Sequence, residues 1–168
     1  MKIGCYLIVY SVMGYVVENV INLVYFGFWI DNSVLIGPYQ PMYAIGVLLT
    51  LWFYNVIKPL RINRFFKLLF LWVVAVLFTG LSEWVSGSLY EYFYHALLWD
   101  YQLSFSVCRH PYVCIFPTTL FGLMAVFSVL VVHPFVRQFS MLIPRYVKGV
   151  VILIFIADII YTYYEVLR

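Results

Sequence analysis

Long apolar runs separated by short polar breaks make up the chain. Five runs are long enough to cross a bilayer core, which takes roughly 20 helical residues. They cover about Ile3–Phe28, Tyr39–Ile57, 65–88, Pro111–Val136 and Val147–Leu167, and the third stays largely apolar to about Leu98. The pattern predicts an all-α integral membrane protein: a bundle of about five transmembrane helices forming one polytopic domain over residues 1–168. Lys2 precedes a run too long for an ordinary signal-peptide core and no cleavage pattern follows, so the first run is expected to remain as a span. The third run exceeds one simple crossing, since ~33 helical residues reach about 50 Å against a core of roughly 30 Å. It is expected to protrude outward, or to break at Gly80 or Gly87 and lay an amphipathic piece containing YEYFYHALLWDY (90–101) on the outer surface.

Composition strengthens this reading. Of 168 residues, 65% are hydrophobic and 10% charged, with a mean hydropathy of +0.98; soluble domains carry about 25% charged residues. The net charge of +3 does not indicate a nucleic-acid surface. The basic residues cluster between apolar runs: Lys58, Arg61, Arg64 and Lys67 after the second, Arg137, Arg145 and Lys148 after the fourth. The loop after the first run has no Lys or Arg, and the segment after the third has only Arg109. Lys2 shares the basic side, which places the N-terminus inside and the C-terminus outside; Arg168 is the one dissenting charge. The Tyr- and Trp-rich composition suits aromatic belts at the bilayer surface.

Polar residues within the runs are the candidate chemistry. Ser11, Tyr15, Glu18, Asn22 and Tyr25 recur at three- or four-residue steps and share one helical face. Glu83, Ser86, Gly87, Tyr90 and Glu91 do the same in the third run, where Gly87 permits close helix approach. Counted from the inner ends, Glu18 and Glu83 lie roughly 20–27 Å up, in the outer half, as do Thr118 and Thr119; Arg109 lies just beyond. The expected site is an outward-facing cluster of Glu18, Asn22, Glu83 and Glu91, with Arg109 as its strong cation. It either binds a small cation, a proton or a polar headgroup, or is an ion-pair network pinning the outer end of the bundle. Carboxylates paired in low dielectric raise one another's pKa. A local hydrogen bond from Tyr161 or Thr162, one turn on, is expected to account for Asp158.

Other chemistry is sparse. There is no P-loop, G-x-S-x-G or H-E-x-x-H, so no ATPase, hydrolase or metalloprotease motif, no catalytic residue and no cofactor are assigned. His95, His110 and His133 are scattered, and no metal site is expected. Cys5 reads as packing. A bridge between Cys108 and Cys114 is disfavoured, because a helix beyond Pro111 would hold them too far apart. Trp99 and Asp100, in WDY, read as an interfacial anchor with a capping carboxylate.

Several blocks in combination resemble the bacterial putative ABC-transporter type IV family, also described as putative ABC transporter permeases or CmpB-like. YSVMGYVVE resembles the family's Y-S-x-x-G-W-x-x-E, giving Ser11, Gly14 and Glu18 with Tyr15 in place of Trp. DNSVLIGPYQPMYAIG keeps Leu35, Gly37, Pro38, Pro41, Tyr43 and Gly46, with Asn32 for the expected Arg and Gln40 for Cys. EWVSGSLYE and WDY match a later block, FSVCR keeps Phe105 and Arg109, Phe121–Gly122 stands for W-G, and His133–Pro134 is kept. The resemblance runs over about residues 7–136. It implies a permease-like subunit in a cell membrane, working with an ATPase or another membrane subunit, or as a homo-oligomer, in a lipid bilayer and without nucleic acid. The alternative is a non-transporting sensor, scaffold or lipid- or peptide-binding subunit of a membrane complex. A small intramembrane enzyme using Glu18 and Glu83 as acid and base is a third reading.

Overall fold

The computed structural model describes residues 2–29, 31, 33–104 and 106–167. Asn32, Phe105 and Arg168 lie outside the described residues, as does the side chain of Tyr25. Every regular element among the described residues is helical: α1 (Lys2–Phe26), α2 (Pro41–Ile57), α3 (Arg64–Tyr94), α4 (Tyr101–Ser104), α5 (Ile115–Phe127), α6 (His133–Leu142) and α7 (Arg145–Leu167). A π-helical turn, Ser128–Val132, joins α5 to α6. Pro134 has no N–H and its ring would crowd a normal helical turn, so the widened turn lets the helix continue through it. Among the described residues, four helices are long and apolar enough to cross a membrane: Lys2–Val24, Arg64–Tyr94, Ile115–Leu142 and Arg145–Glu165. The 17-residue α2 is apolar but shorter. Leu77, Leu81 and Trp84 on α3, and Leu120, Leu123 and Phe127 on α5, are exposed; rows of large apolar side chains facing outward are what lipid solvates and water does not.

The chain divides into two compact units, residues 1–44 with 135–168, and residues 45–134. In the first, Gly4 of α1 meets the Ile152 side chain of α7. Ile8, Leu35 and Phe155 form a buried cluster on which Leu7, Tyr39, Ile152 and Ile159 pack. Tyr39 meets Phe155 edge-on with ring centroids 5.0 Å apart. The proline-bearing connection before α2 is extended and turned, as Pro38 and Pro41 require. Pro41 opens α2 at the position where a missing N–H costs nothing.

This connection is tied down at two points. The Gln40 N–H donates to the Ser11 carbonyl of α1 at 3.0 Å. The N–H groups of Ile36 and Gly37 donate to the two carboxylate oxygens of Asp158 at 3.0 and 2.8 Å. Thr162 adds a hydroxyl at 3.2 Å, the local bond its helical spacing allows. A Cβ on Gly14 would collide with the Tyr43 side chain. The blocks YSVMGYVVE and IGPYQPMY therefore dock on one another, Gly14 being the notch for Tyr43. Asp158→Ala leaves two backbone donors without their acceptor. Charge-assisted bonds of this kind contribute roughly 2 kcal/mol together when partly solvated, so the melting midpoint should fall by about 4–8 °C. Asp158→Asn should lose less. An unchanged midpoint for Asp158→Ala in detergent would show that the loop does not depend on this carboxylate.

In the second unit, α3 is an unbroken 31-residue helix that continues through Gly80 and Gly87. Both glycines are packing notches: Thr118 Cγ2 sits 3.0 Å from where a Gly80 Cβ would be, and the Tyr112 ring occupies the corresponding space at Gly87. The Asn63 side chain caps α3 by accepting from the Phe65 N–H. His95, in the left-handed region at φ 53°, ends it, and its N–H returns to the Glu91 carbonyl. Residues after Tyr94 thus leave the helix, and only the four residues of α4 in the next stretch are helical. On α2, Phe53 packs against Phe70 and Phe78 of α3, with centroids 5.4 and 6.4 Å apart. At the start of α3, Lys67 donates to the Lys58 and Leu60 carbonyls, both at 2.9 Å, satisfying the turn that follows α2.

Candidate functional site

The face of α3 carrying Val76, Gly80, Glu83, Gly87 and Glu91 spans about 80° of arc at 100° per residue. It receives α5 and the segment 95–114, which closes over it as a cap. Glu83 is 3% exposed. One of its carboxylate oxygens accepts from the Tyr101 hydroxyl at 2.6 Å and the other from the Thr118 hydroxyl at 2.7 Å. Two turns on, Glu91 accepts from the Tyr112 hydroxyl at 2.5 Å. The Tyr112 ring lies in the Gly87 notch between the two acids, so E-x-x-x-G-x-x-x-E works as a docking strip with two anchors and a groove. Burial and the neighbouring Glu91 carboxylate push the Tyr112 phenol up to about 12, keeping it a neutral donor at physiological pH.

The cap has its own internal support. Trp99 Nε1 donates to the Tyr112 carbonyl at 3.3 Å, and the Tyr101 N–H to the Pro111 carbonyl at 2.9 Å. Asp100 accepts from the Gln102 N–H at 2.8 Å, at the start of α4. Cys108 and Cys114 are bridged, with Cα atoms 5.2 Å apart. This overturns the expectation that helical geometry separates them. The helix of the fourth apolar run starts at Ile115 instead of Pro111, and Cys114 is extended at φ −139°, ψ 135°. Pro111 and the bridge leave residues 108–114 as a loop, within reach of a disulfide. Pro117 then falls in the first turn of α5, where its missing N–H is harmless.

The expected cluster is only partly assembled within either unit. Glu83, Glu91 and Arg109 belong to the second unit, Glu18 and Asn22 to the first. Arg109 is exposed and makes no ion pair among the described residues; the acids of α3 are satisfied by hydroxyls instead. Sequence periodicity found the acids but not Tyr101 and Tyr112 as their partners, since two tyrosines among sixteen carry no distinguishing signal. Gly37 and Pro38 lie in the loop held by Asp158, and Pro41 heads α2. On α1, Asn19 is 1% exposed and Asn22 8% exposed; Asn19 escaped the polar stripe because it follows Glu18 directly.

The fold and the lipid-facing helices define a multi-pass, all-α membrane protein. Over residues 5–163 the chain matches the family described as "Putative ABC-transporter type IV", and it belongs to that family. No curated protein and no solved structure is significantly similar to it.

Proposed function

We propose that the chain is the membrane-embedded, permease-like subunit of a transporter energised by a separate ATPase. In this reading it sits in a bacterial plasma membrane with five crossings, α2 included, the N-terminus inside and the C-terminus outside. Glu83 is its polar centre, exchanging a small cation or a proton near the outer surface. The observation carrying the reading is a carboxylate buried in an apolar helix and held by two hydroxyls instead of a cation. Hydroxyls can accept as well as donate, so this setting tolerates a change of charge on Glu83 that an arginine partner would oppose. Membership of the ABC-transporter type IV family supports the ATPase partner, as does a sequence with no P-loop.

Gentle extraction from native membranes and affinity purification should bring down an ATPase subunit, and deletion should remove an ATP-dependent uptake or export activity. A chain that purifies alone, with transport of every tested solute intact after deletion, would end this reading. The second reading, a sensor or scaffold, is favoured by the cap itself, since anchoring the cap already uses both acids. Under it, Glu83→Gln with normal folding would leave transport unaffected.

A further inference from the structure

We propose that Asn19 and Asn22, together with Glu18, form a separate site on α1 for a hard monovalent cation of the sodium class. Ser11, Tyr15, Glu18, Asn19 and Asn22 fall within about 100° of arc at 100° per residue, so α1 carries one polar face in an otherwise apolar helix. The Asn19 Nδ2 donates to the Tyr15 carbonyl of its own helix at 2.9 Å. That bond fixes the amide and leaves Oδ1 as its remaining acceptor. This oxygen is buried and has no hydrogen-bond partner among the described residues. Three residues on, Asn22 is 8% exposed, and its Nδ2 is likewise buried without a partner. Two polar side chains more than nine-tenths buried, each with an unsatisfied atom on the same face, are costly in an apolar segment and call for an occupant.

The chemistry of the set selects the occupant. Among the described residues no hydrogen bond holds the Asn22 amide one way round, so a half-turn puts its oxygen in the buried position that Nδ2 occupies. Glu18 stands one helical turn before Asn22 with its Oε2 buried. Two amide oxygens and one carboxylate are hard ligands. A set with one carboxylate suits a monovalent ion, whereas a divalent ion draws more carboxylates. No group of three His, Cys, Asp or Glu side chains suited to a metal occurs among the described residues, which leaves a softer transition ion without its usual ligands. The site is independent of the transport reading: a protein that moves nothing can still bind sodium here.

The full chain, purified in detergent, is titrated with sodium chloride against choline chloride at constant ionic strength, and the unfolding midpoint is read. Sodium at ten times its dissociation constant should raise the midpoint by about 3–6 °C. Asn22→Leu should fold as a monodisperse species, since it removes the orphan amide, and should lose the rise. Glu18→Gln keeps the side-chain shape and should weaken the apparent sodium affinity at least tenfold. Equal midpoints in sodium and choline, the result expected if a water satisfies the amides, overturn the proposal. So does a sodium response retained in Asn22→Leu, or an unchanged affinity in Glu18→Gln.

Discussion

Gly122→Leu should abolish accumulation of folded protein. A Cβ at Gly122 would lie 2.9 Å from the Val76 backbone nitrogen and 3.0 Å from its Cα, as well as meeting the Val76 side chain. A side-chain neighbour can rotate away, but the backbone of α3 cannot. Accommodating leucine therefore means separating α3 from α5 along the seam where the Thr118 side chain also packs at Gly80. Packing at such close approach is what holds membrane helices together, because lipid tails offer no hydrophobic drive between them. Overpacking costs 1–3 kcal/mol where side chains can adjust; with backbone as the obstacle about 3 kcal/mol or more is expected, comparable to much of a domain's net stability. Gly149→Ala is the control, since nothing lies within 4 Å of its added Cβ. Size-exclusion profiles of the two variants should differ sharply, the first aggregated or absent and the second like wild type. A monodisperse Gly122→Leu with a wild-type melting midpoint would mean that the α3–α5 contact is looser than described.

Removing the acid at Glu83 is the other large effect. Glu83→Leu fills the space but takes away the carboxylate that accepts from the half-buried Tyr101 hydroxyl and the buried Thr118 hydroxyl. Interhelical hydrogen bonds in membranes contribute about 0.6 kcal/mol on average and up to about 1.7, so the pair should cost roughly 1–3 kcal/mol. The loss should be concentrated in the cap, which keeps Tyr112 on Glu91 but no longer has Tyr101 on α3. Arg109 is exposed within that cap, so trypsin cleavage after it should quicken several-fold as the segment opens more often. Glu83→Gln retains an oxygen acceptor and an amide that a rotated hydroxyl can accept, and should lose less on both readouts. Equal cleavage rates in wild type and Glu83→Leu would show that the cap is held by other contacts.

The helical class was legible from the apolar runs, because in hydrocarbon the backbone must satisfy its own hydrogen bonds and helices do so within one segment. Run lengths located the four long helices to within a few residues at most ends. Three ends were misread: the helix expected to stop at Val136 continues to Leu142, and the other two share one reason. The apolar stretches before Tyr94 and after Pro111 give no hydropathic sign of where hydrogen bonding stops, and the true limits depend on His95 in a left-handed turn and on Cys114 held extended by its bridge. The glycines carried the opposite ambiguity. Gly80 read as a possible break and Gly87 as a break or a notch, and only the Thr118 methyl and Tyr112 ring, distant in sequence, make both notches.

What the sequence by itself determined is membership of a helical membrane family and the helical face on which Glu83, Gly87 and Glu91 stand, since both follow from composition, period and short motifs. Tertiary structure alone decided what those acids hold. Electrostatics suggested Arg109 as the natural partner, yet an exposed guanidinium keeps its hydration, while Tyr101, Tyr112 and Thr118 supply neutral hydroxyls that can be buried beside a carboxylate at far smaller desolvation cost. The choice between a hydrated cation and a buried hydroxyl depends on which groups the folded chain brings within 3 Å, and periodicity along one helix does not contain that.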